Sequence, residues 1–62
     1  MEEIGRKIRE LRLEKRLTLE DLSARTDLSK SYISEAERGL ASLTITALQK
    51  IADVLEVPLS HF

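Results

Sequence analysis

Residues 28–39 read LSKSYISEAERG, a polar stretch in the middle of a chain of 62 residues. Ser29 is of a type that caps helix starts, and Gly39 is of a type that follows helix ends. The stretch therefore predicts a helix over residues 30–38. One isoleucine and one alanine form the apolar face of this helix. Most of its side chains cannot join a hydrophobic core, which indicates a partner outside the core.

The segment before this stretch predicts a second short helix, over residues 19–26. Thr18 is its expected N-cap, and Asp21 stands three residues later in an arrangement close to a capping box. Asp27 tolerates the left-handed backbone of a tight turn. Two short helices joined by so tight a turn cross at a steep angle, which predicts a helix-turn-helix at about residues 19–38.

Further out, apolar residues at helical spacing predict two longer helices, over residues 2–15 and 45–55, the second capped by Thr44. Gly5 interrupts the first of these helices at a cost of about 1 kcal/mol relative to alanine. Close approach of another element would explain the glycine. The apolar stripe of the last helix is expected to comprise Ile45, Leu48, Ile51, Ala52 and Leu55.

The last residues predict a short terminal helix with Leu59 and Phe62 directed inward. No segment shows the alternation of a strand. The sequence thus predicts one all-α domain over residues 1–62, a compact bundle of four helices plus a short C-terminal helical turn. A chain of this length buries only about 60% of its unfolded surface, so its stability is expected to be marginal.

Composition excludes several classes of function. The chain has no cysteine, so it can form neither a disulfide nor a thiolate metal site. Its one histidine, His61, lacks obvious metal partners. No apolar run approaches the about 20 residues of a membrane span, and the charged start does not resemble a signal peptide. No acid, base and nucleophile are placed to share a pocket. We therefore expect a cytoplasmic protein that is not an enzyme and has no cofactor, metal or small-molecule site.

The positive charge is unevenly placed. The net charge is −1, yet residues 1–16 hold six of the ten Lys and Arg residues, interleaved with four acidic residues. Residues 17–28 are net acidic. Any basic surface must therefore combine the first helix with Lys30 and Arg38. The exposed face of the third helix could read base edges or hold phosphates; it comprises Lys30, Ser31, Tyr32, Ser34, Glu35 and Arg38.

With these features the chain resembles the Cro/CI-type helix-turn-helix domain of the XRE family of bacterial and phage transcriptional regulators. The resemblance runs through IGRKIRELRLEKRLTLEDLS, LSKSYISEAERG and LQKIADVLEVPLSHF, which together cover nearly the whole chain. Each piece alone is weakly specific, whereas their order and spacing are highly specific. The resemblance implies a lambda-repressor-like fold, with the third helix in the major groove of double-stranded DNA.

The resemblance and the polar face together imply a role for each candidate residue. Arg12 and Glu37 are expected to form an internal salt bridge, with the arginine also near a phosphate. The expected base-reading residues are Lys30, Ser31 and Glu35. The expected contacts to the DNA backbone are Arg12, Thr18, Ser29, Tyr32, Ser34, Arg38 and Ser42. The chain departs from many relatives at Leu19 (commonly glutamine), at Asp27 (commonly glycine) and in the loop GLASL, which lacks basic residues.

The most favoured function is sequence-specific DNA binding by a transcriptional regulator of the repressor type, acting as a homodimer on a palindromic operator. Leu59 and Phe62 are the candidate dimer-interface residues. Two alternatives remain open at this stage. One is a protein-interaction module on the same fold, for which Leu13, Leu19 and Leu40 are surface candidates. The other is the DNA-binding part of an antitoxin.

Overall fold

The computed structural model describes residues 2–62, and no strand occurs among them. The predicted all-α fold is confirmed. The first helix and the third each end one residue earlier than expected, because the residues that follow them leave helical geometry. The elements are α1 (Glu2–Glu14), α2 (Leu19–Thr26), α3 (Lys30–Glu37), α4 (Ile45–Leu55) and a 3₁₀ turn (Leu59–His61).

Three hydroxyl side chains start the three later helices. The hydroxyls of Thr18, Ser29 and Thr44 each accept the backbone N–H of the residue three positions on, all at 3.0 Å. The Asp21 carboxylate accepts the Thr18 N–H at 2.9 Å, which completes the capping box. These hydrogen bonds from Thr18 hold the pKa of Asp21 below its ordinary value. Each cap contributes about 1 kcal/mol to helix stability.

Left-handed residues end α2 and α4. Asp27, at φ 65°, ends α2, and its N–H donates to the Ser23 carbonyl at 3.0 Å. The Ser23 hydroxyl donates to the Leu28 carbonyl at 2.6 Å, which closes the turn between α2 and α3. Glu56, at φ 62°, ends α4 in the same way. The direction of α3 relative to α2 is therefore set by backbone and side-chain hydrogen bonds within the turn.

The core lies where the four helices meet, and every helix contributes to it. Its buried members are Ile8, Leu22, Ile33, Leu48, Ile51 and Leu55. The prediction that Ile45 belongs to the apolar stripe that α4 packs against the core was wrong, since its side chain is 70% exposed. Ile45 is the first residue of α4, at the edge of the bundle, where little packs over it. Leu13 and Leu40 are exposed as expected, whereas Leu19 is half-buried and packs against the core.

The backbones of α1 and α3 come into direct contact at Gly5. A Cβ atom added there would overlap the carbonyl oxygen of Ala36 and lie 2.8 Å from that of Glu37. A side chain at this position would push the two helices apart. The close approach expected from the sequence is therefore present, and it explains a glycine in the middle of α1.

We expect the substitution Gly5→Ala to destabilise the domain by about 2 kcal/mol, because the new methyl group meets backbone that cannot rotate away. For a domain of this size the melting temperature should fall by about 8–16 °C. Thermal unfolding followed by circular dichroism measures the change, with Glu3→Ala on the exposed side of α1 as the control. A melting temperature that rises, as helix propensity alone would give, would contradict the packing described here.

Candidate nucleic-acid interface

The position of α3 follows from two buried residues. Ile33 and Ala36 are almost fully buried, so the opposite side of this eight-residue helix faces solvent. That side forms one shallow depression along the helix, bordered by Leu19 of α2. We call it the reading face, and its members from α3 and the residue that follows it are Lys30, Ser31, Ser34, Glu35 and Arg38. The three base-reading candidates and two of the backbone candidates thus lie together.

Lys30 is the cation nearest the start of α3. Its ammonium nitrogen lies 3.7 Å from Oε1 of Glu20, and 58% of its side chain is exposed. Glu20 is still more exposed. An ion pair this long and this exposed to water contributes little to the stability of the domain. Lys30 can therefore leave Glu20 for a stronger acceptor at small cost.

Tyr32 lies to the side of the reading face. Its hydroxyl donates to the carbonyl of Ser42 at 3.0 Å, which ties α3 to the loop before α4. A phosphate would have to replace this carbonyl as the acceptor of the Tyr32 hydroxyl. The Tyr32–Ser42 hydrogen bond could not be predicted from the sequence, because it depends on how the loop folds back. The DNA-backbone roles of both residues stay predictions.

A nearly buried ion pair joins α1 to the end of α3. Arg12 donates through Nε to Oε2 of Glu37 at 2.7 Å and through Nη2 to Oε1 at 3.0 Å. Its Nη1 donates to the carbonyl of Leu17 at 2.9 Å. The side chains of Arg12 and Glu37 are 10% and 5% exposed. This is the pair expected from the resemblance, and it fixes α3 against α1 and the connector before α2.

The same geometry limits what else Arg12 can bind. Three of its five N–H groups are occupied, so two remain for a phosphate. Arg12 lines a second shallow depression together with Arg16, Thr18 and Lys30. Arg16 was not among the predicted site residues. The sequence feature that could have identified Arg16 is its position, because it places a cation two residues before the N-cap of α2.

The residues at the C-terminal end have a mixed environment. Leu59 and Phe62 are half-buried and pack against the core, so part of each apolar side chain stays exposed. The rings of His61 and Phe62 meet edge to face at 5.8 Å. Within residues 2–62, no group of side chains is arranged to hold a metal ion, and no helix is both long and apolar enough to cross a membrane.

Comparison with known proteins identifies the class. Residues 8–62 match a protein family described as Helix-turn-helix. The chain therefore belongs to the XRE family of helix-turn-helix proteins, whose members are DNA-binding transcriptional regulators. This confirms the resemblance on which the expected fold and function rest. The family and the relatives below are regulators rather than enzymes.

One similar protein is an uncharacterized HTH-type transcriptional regulator of Sinorhizobium fredii. It is 39% identical over 54 residues, covering 87% of this chain and 70% of that protein. The HTH-type transcriptional regulator SinR of Bacillus subtilis is 38% identical over 55 residues. This match covers 87% of the chain but only half of SinR. The similarity to SinR therefore concerns one part of a longer protein.

Solved structures agree with this assignment. The restriction-modification controller protein C.AhdI of Aeromonas hydrophila superposes with a TM-score of 0.91 at 30% identity, covering 95% of this chain and 89% of that one. The N-terminal DNA binding domain of SinR superposes with a TM-score of 0.90 at 34% identity. That match covers 97% of this chain and 88% of the SinR chain. The fold is shared over nearly the whole described chain.

We expect Glu37→Ala to lower the free energy of unfolding by about 3 kcal/mol, because it leaves the buried Arg12 guanidinium without its carboxylate. Chemical denaturation of both proteins measures the difference. Lys15→Ala is a matched control, since Lys15 forms an exposed ion pair with Glu56 at 3.0 Å and should change stability by less than about 1 kcal/mol. Equal effects of the two substitutions would show that the Arg12–Glu37 pair has no special structural role.

Proposed function

We propose that this domain binds a specific operator in double-stranded DNA and acts as a transcriptional repressor in the cytoplasm. The observation that carries the proposal is the reading face. It places two cations, two hydroxyls and a carboxylate along one exposed side of a helix that Ile33 anchors to the core. Such a helix fits the major groove, which is about 12 Å wide.

The start of α3 is best suited to reading bases. Lys30 can donate to O6 and N7 of a guanine, and Ser31 can donate or accept. Glu35 lies one turn further along the same face, where a carboxylate can accept from the amino group of a cytosine. These three residues would supply the sequence preference, since a recognition helix contacts base edges with the residues of its N-terminal part.

The cap residues are suited to holding phosphates. The hydroxyl oxygen of Ser29 already accepts a backbone N–H group, which leaves its O–H free to donate to a phosphate. The Thr18 hydroxyl caps α2 in the same way and would turn from the Asp21 carboxylate to reach a phosphate. Arg38 can hold a phosphate at the other end of α3. Contacts of this kind position the helix without reading the sequence. The remaining proposed backbone contacts are Arg12, Tyr32, Ser34 and Ser42.

We expect Lys30→Ala and Arg38→Ala to weaken binding in different ways. Lys30→Ala should weaken the binding free energy by about 1–3 kcal/mol and relax the base preference at one position of the site. Arg38→Ala should weaken binding to all duplexes equally and lower the slope of log K against log salt concentration by about one unit. Affinities on a selected site and its single-base variants, at several salt concentrations, measure both effects. Lys50→Ala, on the exposed side of α4, serves as the control.

A uniform loss across all duplexes for Lys30→Ala would show that Lys30 only contacts phosphate. If neither substitution alters binding, α3 faces a partner other than DNA. The exposed apolar side chains of Leu13, Leu40 and Ile45 would then favour the protein-interaction module.

We also propose that the DNA-bound species is a homodimer on a palindromic operator. One short helix reads only a few base pairs, and dimers of this kind read half-sites about 34 Å apart, or one helical turn. The half-buried Leu59 and Phe62 are the candidate interface, since pairing would cover their exposed parts. Association would also stabilise so small a domain.

We expect footprinting on a selected operator to show two protected half-sites in inverted orientation, one helical turn apart. The substitution Leu59→Ser should raise the protein concentration needed for half-protection, with both half-sites lost together. Protection of a single, unrepeated half-site by one chain would contradict the dimer.

A further inference from the structure

A second basic surface lies next to the reading face and involves α1. Arg6 and Arg9 of α1 and Arg38, at the end of α3, line one shallow depression. The three side chains come together because α1 crosses α3 at Gly5, where the two backbones touch. Arg6 and Arg9 are one turn apart, so they lie on the same face of α1. We call these three residues the arginine cluster.

The charge of the cluster is poorly compensated. Among the described residues that line the depression, Glu37 supplies the one carboxylate. That carboxylate is occupied by Arg12 through two hydrogen bonds. Of the ion pairs formed among residues 3–62, none includes a member of the cluster. On its other side Arg6 lines a depression with Glu3, Lys7 and Glu10, and Arg38 shares the reading face with Glu35.

The cluster lies where the edge of a DNA groove would be. The eight residues of α3 rise about 12 Å from Lys30 to its end. A helix that enters the major groove by its start carries its other end away from the bases and toward the sugar–phosphate backbone. Arg38 belongs to both surfaces, so the cluster is continuous with the reading face. Its Nε donates to the carbonyl of Ser34, one turn back along α3, in a long and exposed hydrogen bond of 3.4 Å.

We propose that the arginine cluster clamps the DNA backbone, with Arg6 and Arg9 as phosphate-binding residues supplied by α1. This inference rests on the proposed function and extends the interface beyond the helix-turn-helix. Guanidinium groups suit this role because they present paired N–H donors to phosphate oxygens. The clamp also helps to explain how a chain of net charge −1 can bind a polyanion, since three of its ten Lys and Arg residues lie together beside the reading face.

The test compares two double variants that remove the same charge. Arg6→Ala/Arg9→Ala removes the α1 half of the clamp. Arg25→Ala/Lys50→Ala removes two exposed cations from a different depression, which also contains Asp27 and Asp53. Affinities for a selected duplex and for a scrambled duplex are measured at several salt concentrations. Melting temperatures confirm that both variants fold.

We expect the first variant to bind both duplexes roughly ten-fold more weakly and to lower the slope of log K against log salt by about 1 to 2. Its preference for the selected duplex should stay that of the wild type. The second variant should bind like the wild type. Equal slopes for the two variants would overturn the clamp.

The same measurements test the proposed function separately. A wild-type protein that binds the selected and the scrambled duplex with equal affinity would contradict sequence-specific recognition. The clamp is judged on the salt slope, which needs no sequence preference. A wild-type protein that binds no duplex at all would overturn both proposals.

Discussion

The structure depends on how α1 is fixed against α3. Gly5 lets the backbones of α1 and α3 touch. The Arg12–Glu37 ion pair stabilises the same helix–helix contact from a position further along α1. Because Arg12 also binds the Leu17 carbonyl, one guanidinium ties together α1, the connector before α2 and the end of α3. The hydrogen bonds of the turn set the direction of α3 relative to α2, and this constraint fixes the position of α3 against α1.

The fixed direction has consequences for function. A helix that buries Ile33, Ala36 and the side chain of Glu37 leaves its other polar side chains wholly or partly exposed. Held rigidly, those side chains form a surface of defined shape, with hydroxyls and a carboxylate between cations. Rigid elements place such groups more accurately than loops do. The same crossing angle brings two arginines of α1 beside the end of α3, so a single packing contact shapes both proposed DNA-binding surfaces.

The helices and their limits could be predicted because they depend on local chemistry. Thr18, Ser29 and Thr44 are cap residues, and each accepts the hydrogen bond its position predicts. The exposure of Ile45 could not be predicted, since helical spacing says which side a residue lies on but not whether another element covers it. The grouping of Arg6 and Arg9 with Arg38 depends on the crossing of two helices distant in sequence. The fold was thus largely predictable, whereas the full extent of the candidate site required the packing.

The most direct test of the central claim, that the reading face of α3 recognises a DNA sequence, is selection of bound duplexes from a random pool by the wild-type domain. We expect repeated rounds to enrich a motif of two inverted half-sites centred about one helical turn apart. We also expect a guanine to recur at the position nearest Lys30. A pool that remains random after repeated rounds, although protein-bound DNA is recovered each time, would contradict sequence-specific recognition by this face.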